Sequence, residues 1–343
     1  MQRFRAILAG CGKKGRDWAR LVSERSDVEL VGLVDVREES ARELAERQAL
    51  SCPIYRELDA ALAGTGADLV LDVTTPASHK RVVTTALRAG AHVFGEKPMA
   101  TTLGDARAMI ETAGATGRTY SVMQNRRYGE QIRTCKEWIS DGLIGRVGFV
   151  CSDFFVAPHW GDFRDGMAHP LLVEMAIHTF DQARFITGSD PVSVYCREFN
   201  PHGSWFASGS SAICLFEMSD GSEFCYRGSW CAEGGSTSWQ AAWRIVGSSG
   251  TILWNGDRAP YAEVATAGEH MSFGCRFRDH ERIAPAGSWQ GRTGHAGCLD
   301  EMFAALLAGR RAETDCRDNF LSVAMVLKAI ESAEKGVRVT VES

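Results

Sequence analysis

The first third of the chain alternates short apolar runs with segments whose apolar residues recur at helical spacing. The apolar runs predict strands at residues 4–9, 28–36, 69–73, 91–94 and 119–123. The amphipathic segments predict helices at residues 16–25, 38–50, 79–88 and 103–115. Because buried strands rich in Val and Leu and separated by helices are typical of parallel sheets, this region predicts a doubly wound α/β domain.

After about residue 123 the pattern changes to strand-like runs with few helices between them. These predicted strands cover 192–198, 211–218, 223–230, 239–246 and 251–254. Helical patterns cover 132–140, 170–187, 295–308 and 318–335. Successive strands without crossover helices favour a large, mainly antiparallel open sheet in an α+β domain. We therefore predict two domains, residues 1–122 and residues 123–343.

Composition and charge narrow the class of protein. Of 343 residues, 45% are hydrophobic and 24% charged, as in a globular protein with a sizeable core. The net charge of -5 gives no basic footprint for nucleic acid or a membrane surface. The 11 cysteines are scattered singly, which predicts reduced thiols, with no disulfide framework and no metal centre. No run is long enough to span a membrane and no signal-peptide pattern is seen, so we expect a cytoplasmic protein.

A glycine-rich turn follows the first predicted strand and opens the first predicted helix. Gly10-Cys11-Gly12-Lys13-Lys14-Gly15 fits the G-x-G-x-x-G pattern, which brings a pyrophosphate close to the backbone at a helix N-terminus. Asp35 ends the second predicted strand about 20 residues later, where a carboxylate can accept hydrogen bonds from the adenosine ribose. Together these features predict a Rossmann domain that binds NAD. Asp35 disfavours the 2′-phosphate of NADP, although Arg37 keeps NADP possible.

Two groups of ionisable residues are candidates for the chemistry. Glu96-Lys97-Pro98 follows the fourth predicted strand, at the sheet edge where open α/β sheets bind ligands. A lysine there can hold a substrate hydroxyl, although lysines beside a proline are also common as solvated loop cations. On the predicted helix 170–187, Glu174, His178 and Asp181 share one stripe, so a carboxylate can orient a proton-transferring imidazole. A surface ion pair is the competing interpretation of that stripe.

The sequence resembles the Gfo/Idh/MocA oxidoreductases, named for glucose–fructose oxidoreductase and inositol dehydrogenase, over nearly its whole length. Besides the glycine-rich turn, the resemblance rests on Thr75-Pro76 with His79, Glu96-Lys97-Pro98, Asn125-Arg126-Arg127-Tyr128, Gly142-Leu143-Ile144-Gly145, residues 174–181 and helix 318–335. It implies that Lys97 contacts both the substrate hydroxyl and the nicotinamide ribose, and that His178 is the general acid/base. This sequence has Glu174 at the family's usual aspartate, Ala176 at its glycine and Ala77 at its asparagine.

The candidate site residues follow from these motifs. The catalytic candidates are Lys97, His178 and Glu174. The candidate cofactor contacts are Gly10, Cys11, Gly12, Lys13, Lys14, Asp35, Arg37, Thr74, Thr75, Pro76, His79, Glu96 and Lys97.

The substrate is expected to meet aromatic and cationic side chains of the second domain. Seven of the nine tryptophans follow residue 150, and aromatic faces suit the C–H faces of a sugar ring. His159 and Trp160 lie in a segment predicted to be a pocket loop. Arg127 and Arg164 could pair with an acidic substrate group, such as a uronate or sulfonate, although surface or domain-interface positions are equally common for arginine.

We therefore expect an NAD(P)-dependent oxidoreductase that transfers hydride between a sugar or polyol hydroxyl and nicotinamide. Lys97 and His178 are expected to handle the proton. The alternatives are an NAD-dependent glycoside hydrolase acting by transient oxidation, and a non-catalytic regulator that senses NAD or sugar. Retention of both Lys97 and His178 counts against the regulator. The expected open sheet face predicts a homodimer or homotetramer.

Overall fold

The computed structural model describes residues 3–287 and 289–341. The chain divides into two compact units. The first comprises the residues up to Gln124 together with Cys298–Val323, and the second comprises Asn125–Gly297 and the residues from Ala324 onward. Among the described residues, no helix combines the length and the apolar character that crossing a bilayer requires.

The first unit is built on a parallel sheet of six strands in the order β3-β2-β1-β4-β5-β6. Its strands are β1 Phe4–Ala9, β2 Val28–Val34, β3 Ile54–Tyr55, β4 Leu69–Asp72, β5 His92–Gly95 and β6 Tyr120–Val122. Its first five helices are α1 Lys13–Ser23, α2 Glu38–Arg47, α3 Leu58–Thr65, α4 Pro76–Arg88 and α5 Leu103–Thr116. The strand order reverses between β1 and β4, and this is the position at which open α/β sheets bind ligands.

A late segment of the chain completes this unit. Helix α8, Gly294–Leu307, presents Phe303, whose ring centroid lies 5.1 Å from that of Phe94 and 6.0 Å from that of Phe4. Downstream of α8, Asp315 forms an antiparallel bridge with Ser121 beside β6. The predicted division into residues 1–122 and 123–343 does not include this contribution of residues 298–323 to the first unit. A helical pattern alone does not reveal which apolar surface a helix will cover.

The second unit is built on a mixed sheet of nine strands in the order β14-β13-β12-β11-β7-β10-β9-β8-β15. These strands are β7 Val147–Phe155, β8 Pro191–Phe199, β9 Ser211–Met218, β10 Glu223–Ser229, β11 Ala242–Gly247, β12 Gly250–Trp254, β13 Tyr261–Ser272, β14 Cys275–Ile283 and β15 Val339–Thr340. Helices α6 Glu130–Ser140 and α7 Ile177–Thr187 belong to this unit, and α9, Cys316–Lys335, contributes residues to both units. The β7–β10 pair is parallel and the other pairs are antiparallel, which confirms the predicted mainly antiparallel sheet.

Helix α7 covers the inner face of this sheet. The Phe180 ring meets Phe216 and Tyr226 edge-on, with ring centroids 4.9 and 5.2 Å apart. On the opposite face, four large apolar side chains are each more than 40% exposed: Phe149, Tyr195, Ile213 and Leu215. Tyr195 pairs with Leu215 across adjacent strands, so these residues form part of a continuous surface, which we call the open face.

Candidate functional site

The carboxyl ends of the parallel strands collect the predicted cofactor residues at one edge of the first unit. Gly10 follows β1, Asp35 follows β2, Thr74 follows β4 and Lys97 follows β5. Because all six strands run in the same direction, these four residues occupy the same edge of the sheet.

The glycine turn has the backbone geometry that a pyrophosphate cradle requires. Gly10 has φ +95°, and a Cβ there would lie 2.4 Å from the Val73 carbonyl oxygen. A Cβ on Gly15 would lie 2.1 Å from the Gly10 oxygen, so only glycine allows α1 to pack this closely on the turn. Around Gly12, by contrast, nothing lies within 4 Å of the Cβ position, which leaves space for a ligand.

The N-terminus of α1 is electrostatically suited to phosphate. Its first turn carries the exposed Lys13 and Lys14 and has no acidic residue. No described side chain caps its first amides. Free amides, the positive end of the helix dipole and two cations all favour an anion at this position.

Asp35 is held in place from the protein side by two backbone amides. The Cys11 amide donates to its Oδ2 at 2.8 Å, and the Arg37 amide donates to its Oδ1 at 2.8 Å. Burial and the nearby Asp35 raise the pKa of the Cys11 thiol to about 12. The Cys11 thiol therefore stays neutral, the Cys11 and Arg37 backbone amides orient Asp35, and the Arg37 residue is exposed.

Thr74 and His79 are linked by the buried Asp72, which the sequence prediction omitted. The Thr74 hydroxyl donates to Asp72 Oδ1 at 2.6 Å, and His79 Nδ1 lies 2.8 Å from Oδ2. Thr75 and Pro76 begin α4 directly after this loop. A signal for Asp72 did exist, since it is an acid ending an otherwise apolar buried strand.

Glu96 connects α1 to the loop that carries Lys97. Its Oε1 accepts a hydrogen bond from Trp18 Nε1 at 2.7 Å, and its Oε2 accepts one from the Lys97 amide at 3.2 Å. Glu96 and Trp18 are buried, whereas Lys97 is half-buried. The Lys97–Pro98 peptide is cis. The carboxylate thus fixes the backbone of Lys97 relative to the helix that follows the glycine turn.

The segment predicted as one regular helix over 170–187 has two parts. Residues Leu171–Ala176 form a π-helix, and α7 begins at Ile177. Glu174 lies on the π-helix, with its Oε2 3.9 Å from Arg164 Nε, and His178 is buried at the start of α7. A π-helical hydrogen bond spans one residue more than an α-helical one. The relative positions of Glu174, His178 and Asp181 therefore differ from those predicted for one regular α-helix.

Asp181, the third residue of that stripe, forms a buried ion pair with Arg127. Arg127 Nε donates to Asp181 Oδ2 at 2.7 Å and Nη2 donates to Oδ1 at 2.5 Å. Both side chains are at least 96% buried. The Asp181 carboxylate neutralises the Arg127 guanidinium within the second unit. This favours a structural role for Arg127 over contact with the substrate.

The predicted pocket loop is partly exposed. Trp160 is 43% exposed and its ring lies 6.3 Å from that of Trp239. The Arg164 guanidinium stacks over the Trp160 ring at 5.1 Å and pairs with Asp162 at 2.5 Å. His159 stacks on Trp205 at 3.7 Å, and its Nε2 lies 2.7 Å from Glu233 Oε1.

The sheet order, the glycine turn, the bare helix N-terminus and the anchored Asp35 define a dinucleotide-binding Rossmann protein, and these residues fit NAD. Residues 4–124 match the family described as "Oxidoreductase family, NAD-binding Rossmann fold". Residues 132–253 match the "GFO/IDH/MocA C-terminal domain". The chain belongs to the Gfo/Idh/MocA family and is an NAD(P)-dependent oxidoreductase, as the sequence predicted.

Sequence and structural relatives agree with this assignment. The chain is 27% identical to protein y4oX of Sinorhizobium fredii, over 99% of this chain and 96% of that protein. It is 31% identical to inositol 2-dehydrogenase of Rhizobium meliloti, over 54% of this chain and 56% of that enzyme. A solved oxidoreductase from Agrobacterium radiobacter, in complex with NAD+, L-tartaric acid and magnesium, has TM-score 0.84 and 21% identity over 99% of each chain. This likeness confirms the predicted fold class.

Proposed function

We propose that the enzyme transfers hydride between a hydroxyl-bearing carbon of a sugar, polyol or sugar derivative and the nicotinamide of NAD. The observation that carries this proposal is the Glu96 carboxylate, which ties the Lys97 backbone to the helix of the glycine turn. A lysine anchored in this way is suited to hold a reacting oxygen in a fixed position. The name of the inositol 2-dehydrogenase relative supports a polyol or sugar as the substrate class.

The residues have separable roles in this proposal. When bound, NAD supplies the hydride acceptor. The glycine turn with Lys13 and Lys14 binds the pyrophosphate, and Asp35 accepts the ribose hydroxyls. The Lys97 ammonium holds the substrate oxygen and stabilises the developing alkoxide, and His178 removes the hydroxyl proton. Glu174, which lies near Arg164, orients the substrate or His178.

A turnover screen tests this function. The enzyme is incubated with NAD+ or NADP+ and a panel of sugars, polyols, uronates and glycosides, and absorbance at the nicotinamide band and product structure are followed. We expect stoichiometric NADH formation with one class of hydroxyl compound. Release of a free sugar without net NADH would instead identify the glycoside hydrolase. Binding of NAD without any turnover would identify a regulator.

Asp35→Ser is expected to weaken NAD binding by about tenfold, because charge-assisted hydrogen bonds to the ribose are lost. It should also narrow the preference for NAD over NADP, because the repulsion of a 2′-phosphate disappears. Titration calorimetry with both cofactors measures the two effects. Asp59→Ser, at an exposed aspartate of the same unit, is the matched control. Unchanged affinities in Asp35→Ser would contradict the ribose assignment.

The open face supports assembly into a homodimer or homotetramer. On this face Tyr195 lies opposite Leu215, Ile213 follows two residues away on the same strand and Phe149 is also exposed, which gives apolar surface of the kind that mediates association. Light scattering should give a multiple of the chain mass for the native protein, and Leu215→Lys should lower that mass. Leu307→Lys, at an exposed leucine of the first unit, should not change it. A monomeric native protein would refute this assembly.

A further inference from the structure

Arg126 has different interaction partners from Arg127 and Arg184, two other arginines of the second unit. Arg127 is paired with Asp181, and Arg184 is paired with Asp190. The Arg126 guanidinium instead donates to the backbone carbonyl of Trp239 and lies 3.9 Å from the Met175 sulfur. Among the described residues, no carboxylate oxygen lies within 4.0 Å of it. A cation in this part of the protein therefore lacks an anionic partner.

The environment of Arg126 makes the absence of an anionic partner energetically unfavourable. Arg126 is half-buried, and the loss of solvation lowers the pKa of its guanidinium to about 10, so it remains charged at neutral pH. The Tyr226 phenol lies within electrostatic range, and burial raises its pKa well above the usual value. Its buried hydroxyl finds no hydrogen-bond partner among the described residues. A half-buried cation without a counterion, near a buried hydroxyl without a hydrogen-bond partner, is an arrangement that is typical of ligand sites.

The position of Arg126 connects it with the predicted catalytic residues of the second unit. Met175, which touches the guanidinium, lies on the π-helix between Glu174 and His178. Trp239, whose carbonyl accepts from Arg126, exposes 44% of its surface and faces Trp160. The cation is thus bordered by the π-helix that carries Glu174 and by exposed aromatic surface suited to a sugar ring.

We propose that Arg126 binds a carboxylate of the substrate, so that the enzyme prefers sugar acids over the corresponding neutral sugars or polyols. This inference rests on the proposed function and specifies its substrate class. A guanidinium presents a planar set of donors that matches a carboxylate, and one positive charge balances one negative charge.

The test compares matched substrates that differ only in the acid group. The pairs are D-galacturonate with D-galactose, D-glucuronate with D-glucose, and D-gluconate with D-sorbitol. For the best pair, we expect kcat/KM to favour the acid by about 10- to 100-fold in the native enzyme. Arg126→Met should bring this ratio close to one, and Arg126→Lys should retain part of it. Arg258→Met, at an exposed loop arginine, should leave the ratio unchanged.

A binding measurement separates this inference from the proposed function. Calorimetry with the NAD-saturated protein records the affinity of each of the three acids, independently of turnover. We expect at least one acid to bind about tenfold or more tightly to the native protein than to Arg126→Met, with equal NAD affinities. Absence of turnover with retained, Arg126-dependent acid binding would overturn the reaction alone. A native enzyme that favours the neutral members, or an unchanged ratio in Arg126→Met, would overturn the role of Arg126. Circular dichroism confirms that the variants are folded.

Discussion

Lys97→Met is expected to lower kcat for NAD-dependent oxidation by about 10²- to 10⁴-fold, because the substrate oxygen loses the ammonium that holds it and stabilises its developing charge. The affinity for NAD should change little, since the glycine turn and Asp35 remain. Steady-state kinetics with the substrate found in the screen and calorimetry with NAD measure the two quantities. Lys80→Met, which removes an exposed lysine paired with Asp105 in the same unit, should leave kcat near its native value.

A double variant tests whether Lys97 and His178 act on the same proton. His178→Asn should lower kcat to an extent similar to Lys97→Met. Residues that act as a unit give strongly non-additive losses, so combining the two changes should cost little more than either alone. If the fold reduction in kcat of the double variant equals the product of the two single reductions, the residues serve separate steps. A Lys97→Met enzyme with near-native turnover would remove the lysine from the mechanism altogether.

Asp181→Asn is expected to destabilise the protein by about 3–5 kcal/mol, because it leaves the Arg127 guanidinium buried without its counterion. Urea unfolding followed by fluorescence and circular dichroism measures the change in the free energy of unfolding. The double variant Arg127→Met with Asp181→Leu should recover most of the loss, since an apolar pair replaces both charges.

An exposed pair provides the control for this measurement. Arg42 also forms an ion pair through two nitrogens, since its Nε and Nη2 both donate to Glu38 Oε1, but the two side chains are 66% and 39% exposed. Glu38→Gln should therefore change the free energy of unfolding by no more than about 1 kcal/mol. Equal effects of Asp181→Asn and Glu38→Gln would show that burial does not give the Arg127 pair its importance.

Periodicity predicts the first unit well because its strands are buried on both faces and its helices are amphipathic. Leu69–Asp72 is buried throughout, and Phe4–Ala9 matches the predicted strand residue for residue. The two-residue strand Ile54–Tyr55 is too short to produce a pattern, and the following helix α3, Leu58–Thr65, contains an internal glycine that weakens its signal. Both elements were missed in the sequence analysis.

In the second unit, elements without a one-sided apolar pattern escape prediction. Strands β13 and β14 continue beyond the sheet as a ribbon whose side chains are largely exposed, so no alternation marks them. Within β7, Gly148, Ser152 and Asp153 interrupt the apolar run of what proves to be a central strand. The π-helix at Leu171–Ala176 resembles an α-helix in composition and differs only in its hydrogen bonding.

The candidate site also contains residues that local sequence predicts and residues whose environment depends on distant parts of the chain. Gly10, Gly15 and Asp35 could be predicted because their roles depend on nearby backbone and on fixed spacing. Arg126 and Arg127 are chemically identical neighbours, and sequence reasoning selected the second of them. They lie in the 3-10 helix Asn125–Arg127, where successive side chains point about 120° apart. Their environments therefore depend on distant residues that no local pattern reveals.

The return of residues 298–323 to the first unit has a consequence for protein engineering. The Phe94 and Phe4 rings are covered by Phe303, which comes from a stretch encoded far downstream. Exchanging the nucleotide-binding half between relatives therefore requires two separate gene fragments to be transplanted together. A chimera joined at a single crossover near residue 122 would cover the aromatic core of the transplanted half with a foreign α8.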